Sequence, residues 1–168
     1  MEYLDLYDIN KKLTGKKIVR GKGKPIVPEN NYINIVLIFI QNSKNEFLFQ
    51  ITSKEKDQEL ATTGGHVKSG QTSYEAILNE VEEELGINIE NDNPIMVDSY
   101  IFGIAFMDVY YLKKDIDINQ LKLQKEEVDM VKWISIEEIN KNIKSEKIRK
   151  GNIKAFDSVL RYLGKNNV

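Results

Sequence analysis

Hydrophobic residues fall in short β-branched and aromatic runs separated by polar or glycine-containing breaks, a pattern typical of strands. The run Ile33–Ile40 is almost continuously apolar, which predicts a strand covered on both faces. A turn at Asn42–Asn45 and a second run at Phe47–Ile51 predict a following strand. Further along, Ile95–Leu112 is rich in β-branched and aromatic residues and is long enough for two strands or one long bent strand. The segment Val128–Ile134 predicts a further strand.

Residues 1–30 are predicted to form an extension made of a strand pair and a loop. Apolar residues in Tyr3–Leu6 and again at Ile18 and Val19 indicate the two strands. We place their turn at Leu13–Lys16, and the breaker-rich segment Gly21–Pro25 predicts the loop that follows.

The clearest helix is predicted over Thr72–Leu85. Thr72, followed three residues later by Glu75, forms a capping-box pattern, and Gly86 stands where a helix stop is expected. Shorter helical patterns run from Ser135 to about Ile143 and onward from Asn152.

The number and order of these elements indicate the class of fold. A chain of 168 residues suits a single domain. Strands mixed with three helices indicate one α+β fold or α/β/α sandwich. We therefore expect one domain over residues 1–168, with the hairpin and loop of residues 1–30 as its N-terminal extension.

A helical wheel of the Thr72–Leu85 segment separates an apolar stripe from an acidic face. The apolar stripe consists of Tyr74, Ile77, Leu78, Val81 and Leu85. Off that stripe, Glu80, Glu83 and Glu84 are spaced so that the three carboxylates share one face. Converging oxygen ligands suit Mg²⁺ or Mn²⁺, although a solvated acidic face has the same pattern.

Composition narrows the chemistry that this face supports. With 24 basic and 26 acidic residues, the formal net charge of −2 gives no reason to expect a nucleic-acid polymer or an anionic membrane as partner. The chain has no cysteine and one histidine, His66, which excludes disulfides, zinc–thiolate sites and multi-histidine metal sites. No secretory signal or stretch of about 20 apolar residues is visible, so we expect a cytoplasmic protein.

The glycine-rich segment Gly64–Gly70 and the acidic helix together resemble a known motif. Glycine allows close approach of the backbone, so a bare carbonyl beside the carboxylates is a candidate metal ligand. The stretch Gly65–Ile87 resembles the Nudix box, G-x5-E-x7-R-E-U-x-E-E-x-G-U, in which U is a bulky aliphatic residue. Seven of the nine specified positions match, over a window of 23 residues. The chain is thus identified as a member of the Nudix hydrolase family.

The resemblance implies an α+β fold, the Nudix-type α/β/α sandwich with a mixed β-sheet between helices. It also implies a reaction and a set of roles. Nudix hydrolases use water and a divalent metal, usually Mg²⁺ or Mn²⁺, to cleave a nucleoside diphosphate linked to another moiety. By this resemblance Glu83 and Glu84 hold metal, and Glu80 binds metal or activates the attacking water. The carbonyl of Gly64 is a further ligand, and Glu127 matches a position from which several members supply an additional catalytic or metal-binding carboxylate.

Two positions of the box depart from the family pattern. Gln71 stands where the family has Glu, and Asn79 where it has Arg. Since both charges are lost together, neither leaves an unpaired partner. We expect a Gln71–Asn79 contact to replace the ion pair, with primary ligands retained but fewer or weaker metal ions bound.

Several other residues near the motif have less specific patterns. Gly65 and Lys68 are candidates for substrate or supporting contacts, although a lone loop lysine is usually solvated. We interpret His66 as a residue of the glycine loop and not as a catalytic base. Strand alternation allows only one of Glu126 and Glu127 to face the site.

Rival functions follow from the same motif. The leading prediction is a metal-dependent pyrophosphohydrolase acting on a small-molecule diphosphate. The departures at Gln71 and Asn79 instead favour a degenerate Nudix domain that binds a nucleotide or a partner without turnover.

The N-terminal strand pair is loosely similar to that of Nudix proteins related to isopentenyl-diphosphate isomerase, but that isomerase chemistry uses cysteine and several histidines, which this chain lacks. The hairpin would also offer a surface for a homodimer.

Overall fold

The computed structural model describes the backbone of residues 1–166 and the side chains of residues 1–164. The strands are β1 (Glu2–Tyr7), β2 (Leu13–Arg20), β3 (Ile33–Gln41), β4 (Glu46–Thr52), β5 (Leu60–Ala61), β6 (Thr63–His66), β7 (Ile95–Phe102), β8 (Ala105–Lys113) and β9 (Val128–Ser135). The helices are α1 (Ser73–Leu85), α2 (Ile136–Lys144) and α3 (Lys150–Asn166). None of the described helices is both long and apolar enough to cross a membrane.

The main sheet is mixed, as the sequence predicts. Five of its strands lie in the order β5-β4-β3-β8-β7. In addition, β6 pairs with β3 and β9 pairs with β4. Strands β3 and β8 run parallel over their full length, whereas β6 runs antiparallel to β3. The segment Ile95–Leu112 forms two strands, because Gly103 turns the chain with a φ of +61°.

Alternate residues of β3 face two separate hydrophobic cores. Leu37 and Phe39 pack with Phe156 of α3 on one face of the sheet. Val36 and Ile38 pack on the other face with Ile77, Val81 and Leu85 of α1. Because side chains alternate along a strand, burial on both faces requires the continuous apolar run seen in the sequence. The predicted α/β/α sandwich is confirmed.

The predicted ends of α1 are confirmed by their hydrogen bonds. The Thr72 hydroxyl accepts a hydrogen bond from the Glu75 N–H at 3.1 Å. At the other end, Gly86 adopts a left-handed conformation (φ 72°), and its N–H donates to the Glu82 carbonyl. The prediction for α3 was wrong at its start, since the helix begins at Lys150 and Asn152 lies inside it. The Asn152 side chain is buried and accepts a hydrogen bond from the Thr62 N–H at 2.7 Å.

The N-terminal strand pair exists, but its turn was wrongly placed at Leu13–Lys16, which lies in β2. The chain turns at residues 8–12, where the Asp8 carboxylate accepts hydrogen bonds from the N–H groups of Asn10 and Lys12. Aspartate stabilises turns in this way, and Lys11 takes a left-handed conformation there. The sequence analysis also missed the short strands β5 and β6.

Candidate active site

Strand β6 brings two glycines against the acidic face of α1. A Cβ added at Gly65 would collide with the carboxylate of Glu80, and one added at Gly64 would collide with the carbonyl of Val36 on β3. Neither glycine has a positive φ, so the lack of space rather than the backbone conformation demands glycine here. The carboxylate of Glu80 therefore lies directly on the backbone of β6.

Glu84 is the buried carboxylate of the site, with 5% of its surface exposed. Burial raises its pKa to about 7, against the opposing effect of hydrogen bonds from the Gln50 amide (3.3 Å) and the Gly64 N–H. The N–H and C=O of a strand residue point to the same side. The Gly64 carbonyl therefore faces the side of Glu84, as a metal ligand at this position requires.

Glu80 lies within the electrostatic field of the neighbouring carboxylates. Burial, followed by the charges of Glu84 and Glu83, raises its pKa to about 8. Glu83 is half-exposed. The three carboxylates predicted to share a helical face thus interact strongly, and no nearby cation fully offsets the repulsion at Glu80.

Glu127, just before β9, approaches the same carboxylates. Its charge raises the pKa of both Glu80 and Glu84. Its backbone carbonyl accepts a hydrogen bond from Ser53, and its carboxylate forms an ion pair with Lys56. Glu126 is exposed to solvent. Of the two neighbouring acids, the structure therefore brings Glu127 to the site.

Two lysines flank the carboxylates. The ammonium group of Lys56 pairs with Glu127, and its charge also acts on Glu84. The Nζ of Lys68 lies 3.1 Å from Glu2 and 3.8 Å from Glu83, and the hydrogen bond to Glu2 raises its pKa. Both lysines are partly exposed, so they border the acidic centre rather than fill it.

His66 is too weak a base to hold a proton at neutral pH. Burial, together with the positive charge of Arg20, lowers its pKa to about 4. The imidazole is therefore neutral in the physiological range, and it lies on β6 opposite Ile35.

The expected contact between Gln71 and Asn79 is wrong. The side-chain carbonyl of Gln71 accepts a hydrogen bond from the Lys68 N–H at 2.9 Å, and Asn79 is exposed on α1. No hydrogen bond joins the two amides within residues 1–164. Because the turn before α1 needs an oxygen acceptor and not a charge, glutamine serves there as glutamate would.

Metal binding requires some rearrangement of this site. No group of three or more acidic or histidine side chains among the described residues is arranged to hold a metal ion as it stands. The ion pairs with Lys56 and Lys68 and the hydrogen bond from Gln50 turn individual carboxylates towards other partners. The donor set still fits Mg²⁺ or Mn²⁺, since it consists of hard oxygen atoms held close to a glycine backbone.

Sequence reasoning missed two residues of the site. Gln50 is a buried amide inside the apolar strand β4, and that interruption of the pattern was a usable signal. Lys56 lies in a polar loop whose sequence has no comparable feature. Its place beside Glu127 depends on how β4 and β9 pair, which only the tertiary structure defines.

Comparison with known proteins gives a consistent result. A family model described as the NUDIX domain matches residues 31–156. An uncharacterized Nudix hydrolase of Listeria monocytogenes is 35% identical over 144 residues, which cover 83% of each chain. A relative of the same description from Listeria innocua is 34% identical over the same share of both chains.

Solved structures share the fold. A crystal structure from Deinococcus radiodurans matches with a TM-score of 0.76 and 24% identity, covering 90% of this chain and 94% of that one. The NUDIX domain of Shewanella oneidensis NrtR, solved with ADP ribose, matches with a TM-score of 0.63 and 10% identity, covering 79% of this chain and 88% of that one.

Proposed function

The chain belongs to the Nudix hydrolase family, whose members act on phosphoanhydride bonds, and on that premise we propose that it is a metal-dependent pyrophosphohydrolase. Its substrate is a nucleoside diphosphate linked to another moiety, or a related organic diphosphate, which water attacks at phosphorus. The observation that carries the proposal is the pair of mutually repelling carboxylates held against β6, the partly buried Glu80 and the buried Glu84.

The residues proposed to hold Mg²⁺ or Mn²⁺ are Glu80, Glu83, Glu84 and the carbonyl of Gly64. Family members generally use divalent metal ions, and these residues supply oxygen donors only. When bound, the ion neutralises phosphate oxygens and stabilises the charge that develops on the leaving phosphate. A divalent cation would also offset the burial and the repulsion that now raise the pKa of Glu80 and Glu84.

Two carboxylates are candidates to accept the proton of the attacking water. Glu80 lies at the centre of the acidic group, and Glu127 lies at its edge in an ion pair with Lys56. General-base catalysis requires a carboxylate that is ionised and within reach of the water. We assign two roles to Glu80, metal binding and water activation. Glu127 is the second carboxylate of the reaction.

The lysines and the loop position the phosphates. Lys56 and Lys68 now pair with carboxylates, and each would exchange that partner for a phosphate oxygen when substrate binds. Gly65 keeps the backbone close to Glu80, and Gln71 fixes the turn that carries Lys68. Asn79 is exposed and contributes no hydrogen bond to this arrangement within residues 1–164.

The test is a panel of diphosphates incubated with Mg²⁺ or Mn²⁺, with product phosphates measured. ADP ribose is one probe, because a structural relative binds it, and nucleoside diphosphate sugars and dinucleoside polyphosphates are the others. Glu83→Gln should lower the rate on any substrate found by about 10²-fold or more. Glu82→Gln, an exposed neighbour on the same helix, is the matched control and should retain activity.

Two outcomes would contradict the proposal. If Glu83→Gln and Glu82→Gln behave alike, Glu83 has no part in the mechanism. If no diphosphate is hydrolysed with either metal but one still binds, the chain is a Nudix domain that binds without turnover.

A further inference from the structure

The N-terminal hairpin (residues 2–20) lies outside the segment that matches the family model, yet it contacts the loop before α1. That loop, Lys68–Gln71, carries Lys68 to within 3.8 Å of Glu83 and leads directly into the N-cap of α1. Its position therefore affects both the cation beside the carboxylates and the start of the helix that bears them.

Contacts within the loop do not fix it to the rest of the protein. The Gln71 N–H donates to the Lys68 carbonyl at 3.0 Å, and the Gln71 side chain accepts from the Lys68 N–H. Both hydrogen bonds join residues of the loop to each other, so they do not attach the loop to any other element. Gly70 is exposed with a φ of +85°, and a Cβ there would touch nothing within 4 Å.

Strand β1 supplies the contacts that hold the loop in place. The Tyr3 carbonyl accepts a hydrogen bond from the Ser69 N–H at 2.7 Å. The Asp5 carboxylate uses both oxygens, accepting from the Ser69 hydroxyl at 2.6 Å and from the Gly70 N–H at 3.0 Å. Hydrogen bonds to a charged acceptor are stronger than neutral ones, so Asp5 is the main attachment.

The hairpin can act as an anchor because it is itself firmly attached. Leu4 and Leu6 are buried in the core beneath the sheet. At the turn, the Lys11 ammonium lies 2.5 Å from the carboxylate of Asp108, which is fully buried. Asp108 also accepts hydrogen bonds from Ser99 at 2.7 Å and from Asn34 at 3.1 Å. A buried ion pair with further hydrogen bonds resists opening.

We propose that Asp5 is a positioning residue of the active site, holding the Lys68–Gln71 loop through Ser69 and Gly70. The hairpin is then a part of the catalytic unit and not an accessory to it. This inference rests on the proposed function for its effect on catalysis, whereas its effect on the loop is independent of any substrate.

The main test compares Asp5→Ala with Asp8→Ala in the full chain. Asp8 stabilises the hairpin turn through Asn10 and Lys12 and forms no hydrogen bond with the loop among the described residues, so it controls for damage to the hairpin. Asp5→Ala should speed amide hydrogen exchange at Gly70 at least about tenfold. It should also raise Mn²⁺ affinity about threefold, because the loosened loop frees Glu83 from Lys68. It should lower kcat about tenfold with KM changed less than about twofold, whereas Asp8→Ala should leave all four quantities within about twofold of wild type.

Ser69→Ala gives a second route if Asp5→Ala fails to fold. It removes one of the same hydrogen bonds from the loop side and should show the same pattern, more weakly. The double variant should be no worse than Asp5→Ala, because the hydrogen bond that Ser69→Ala removes is already lost when Asp5 is replaced. Equal effects of Asp5→Ala and Asp8→Ala, or unchanged exchange at Gly70, would overturn the proposal. If wild type hydrolyses no diphosphate, the proposed function fails, but exchange and Mn²⁺ affinity still decide the role of Asp5.

Discussion

Substitution of Gly65 by alanine tests the placement of Glu80 most directly. The added Cβ would lie 2.7 Å from Oε2 of Glu80 and closer to the other atoms of that carboxylate. Since ordinary contact begins at 3.4 Å, this oxygen must retreat by about 0.7 Å or more. The backbone of Gly65 has no positive φ, so alanine introduces no conformational strain there.

The expected result is a large loss of activity with little loss of stability. A displacement of about 1 Å in a reacting group costs about 10²-fold in rate, which corresponds to about 2.7 kcal/mol. Glu80 is partly exposed, so its side chain has room to move without unfolding the protein. We therefore expect kcat to fall by one to two orders of magnitude while the thermal midpoint stays within about 3 °C.

The assay is steady-state hydrolysis of the best substrate, with two further variants as controls. Gly151→Ala adds the same methyl group where the nearest atoms lie 3.8 Å away, and should leave kcat unchanged. Glu80→Asp shortens the side chain, so Gly65→Ala should add little to its effect. An unchanged kcat in Gly65→Ala would refute the argument, because the carboxylate would then be free to lie elsewhere during the reaction.

Three further predictions concern charges in and around the site. Lys56→Met should raise Mn²⁺ affinity up to about fivefold by calorimetry, because it removes a partly exposed ion-pair partner from a site carboxylate; a weaker affinity would contradict this. In EDTA the stability contributed by Glu84 and Glu80 should be greatest below pH 5 and be lost as the pH rises through 7 to 8, because their raised pKa values make ionisation costly when folded. Excess Mg²⁺ should make the stability less dependent on pH over this range, as measured by thermal unfolding. Lys11→Met should cost about 3 kcal/mol in urea unfolding, since it leaves the carboxylate of Asp108 buried and unpaired.

Local sequence patterns were sufficient for the helix that carries the carboxylates. The caps at Thr72 and Gly86 and the apolar stripe of α1 depend on neighbours within one or two turns, and each lies where it was predicted. The strand Ile33–Gln41 was equally clear, because burial on both faces leaves an uninterrupted apolar run.

Features that depend on contacts between distant parts of the sequence could not be predicted from local patterns. The turn of the N-terminal hairpin depends on the Asp8 side chain and on a lysine whose partner is 97 residues away. The attachment of the loop before α1 depends on hydrogen bonds from Ser69 and Gly70 to Asp5, which is 64 and 65 residues away. Lys56 reaches Glu127 only because β4 and β9 are neighbours in the sheet.

Charge balance explains how the site tolerates its departures from the Nudix box. Two lysine ammonium groups face five carboxylates, which leaves a formal charge of −3 (−5 and +2); the carboxylates are those of Glu2, Glu80, Glu83, Glu84 and Glu127. A glutamate at Gln71 would make that charge more negative, but the turn there needs only an oxygen acceptor. A divalent cation bound here would therefore reduce the formal charge of this group to −1.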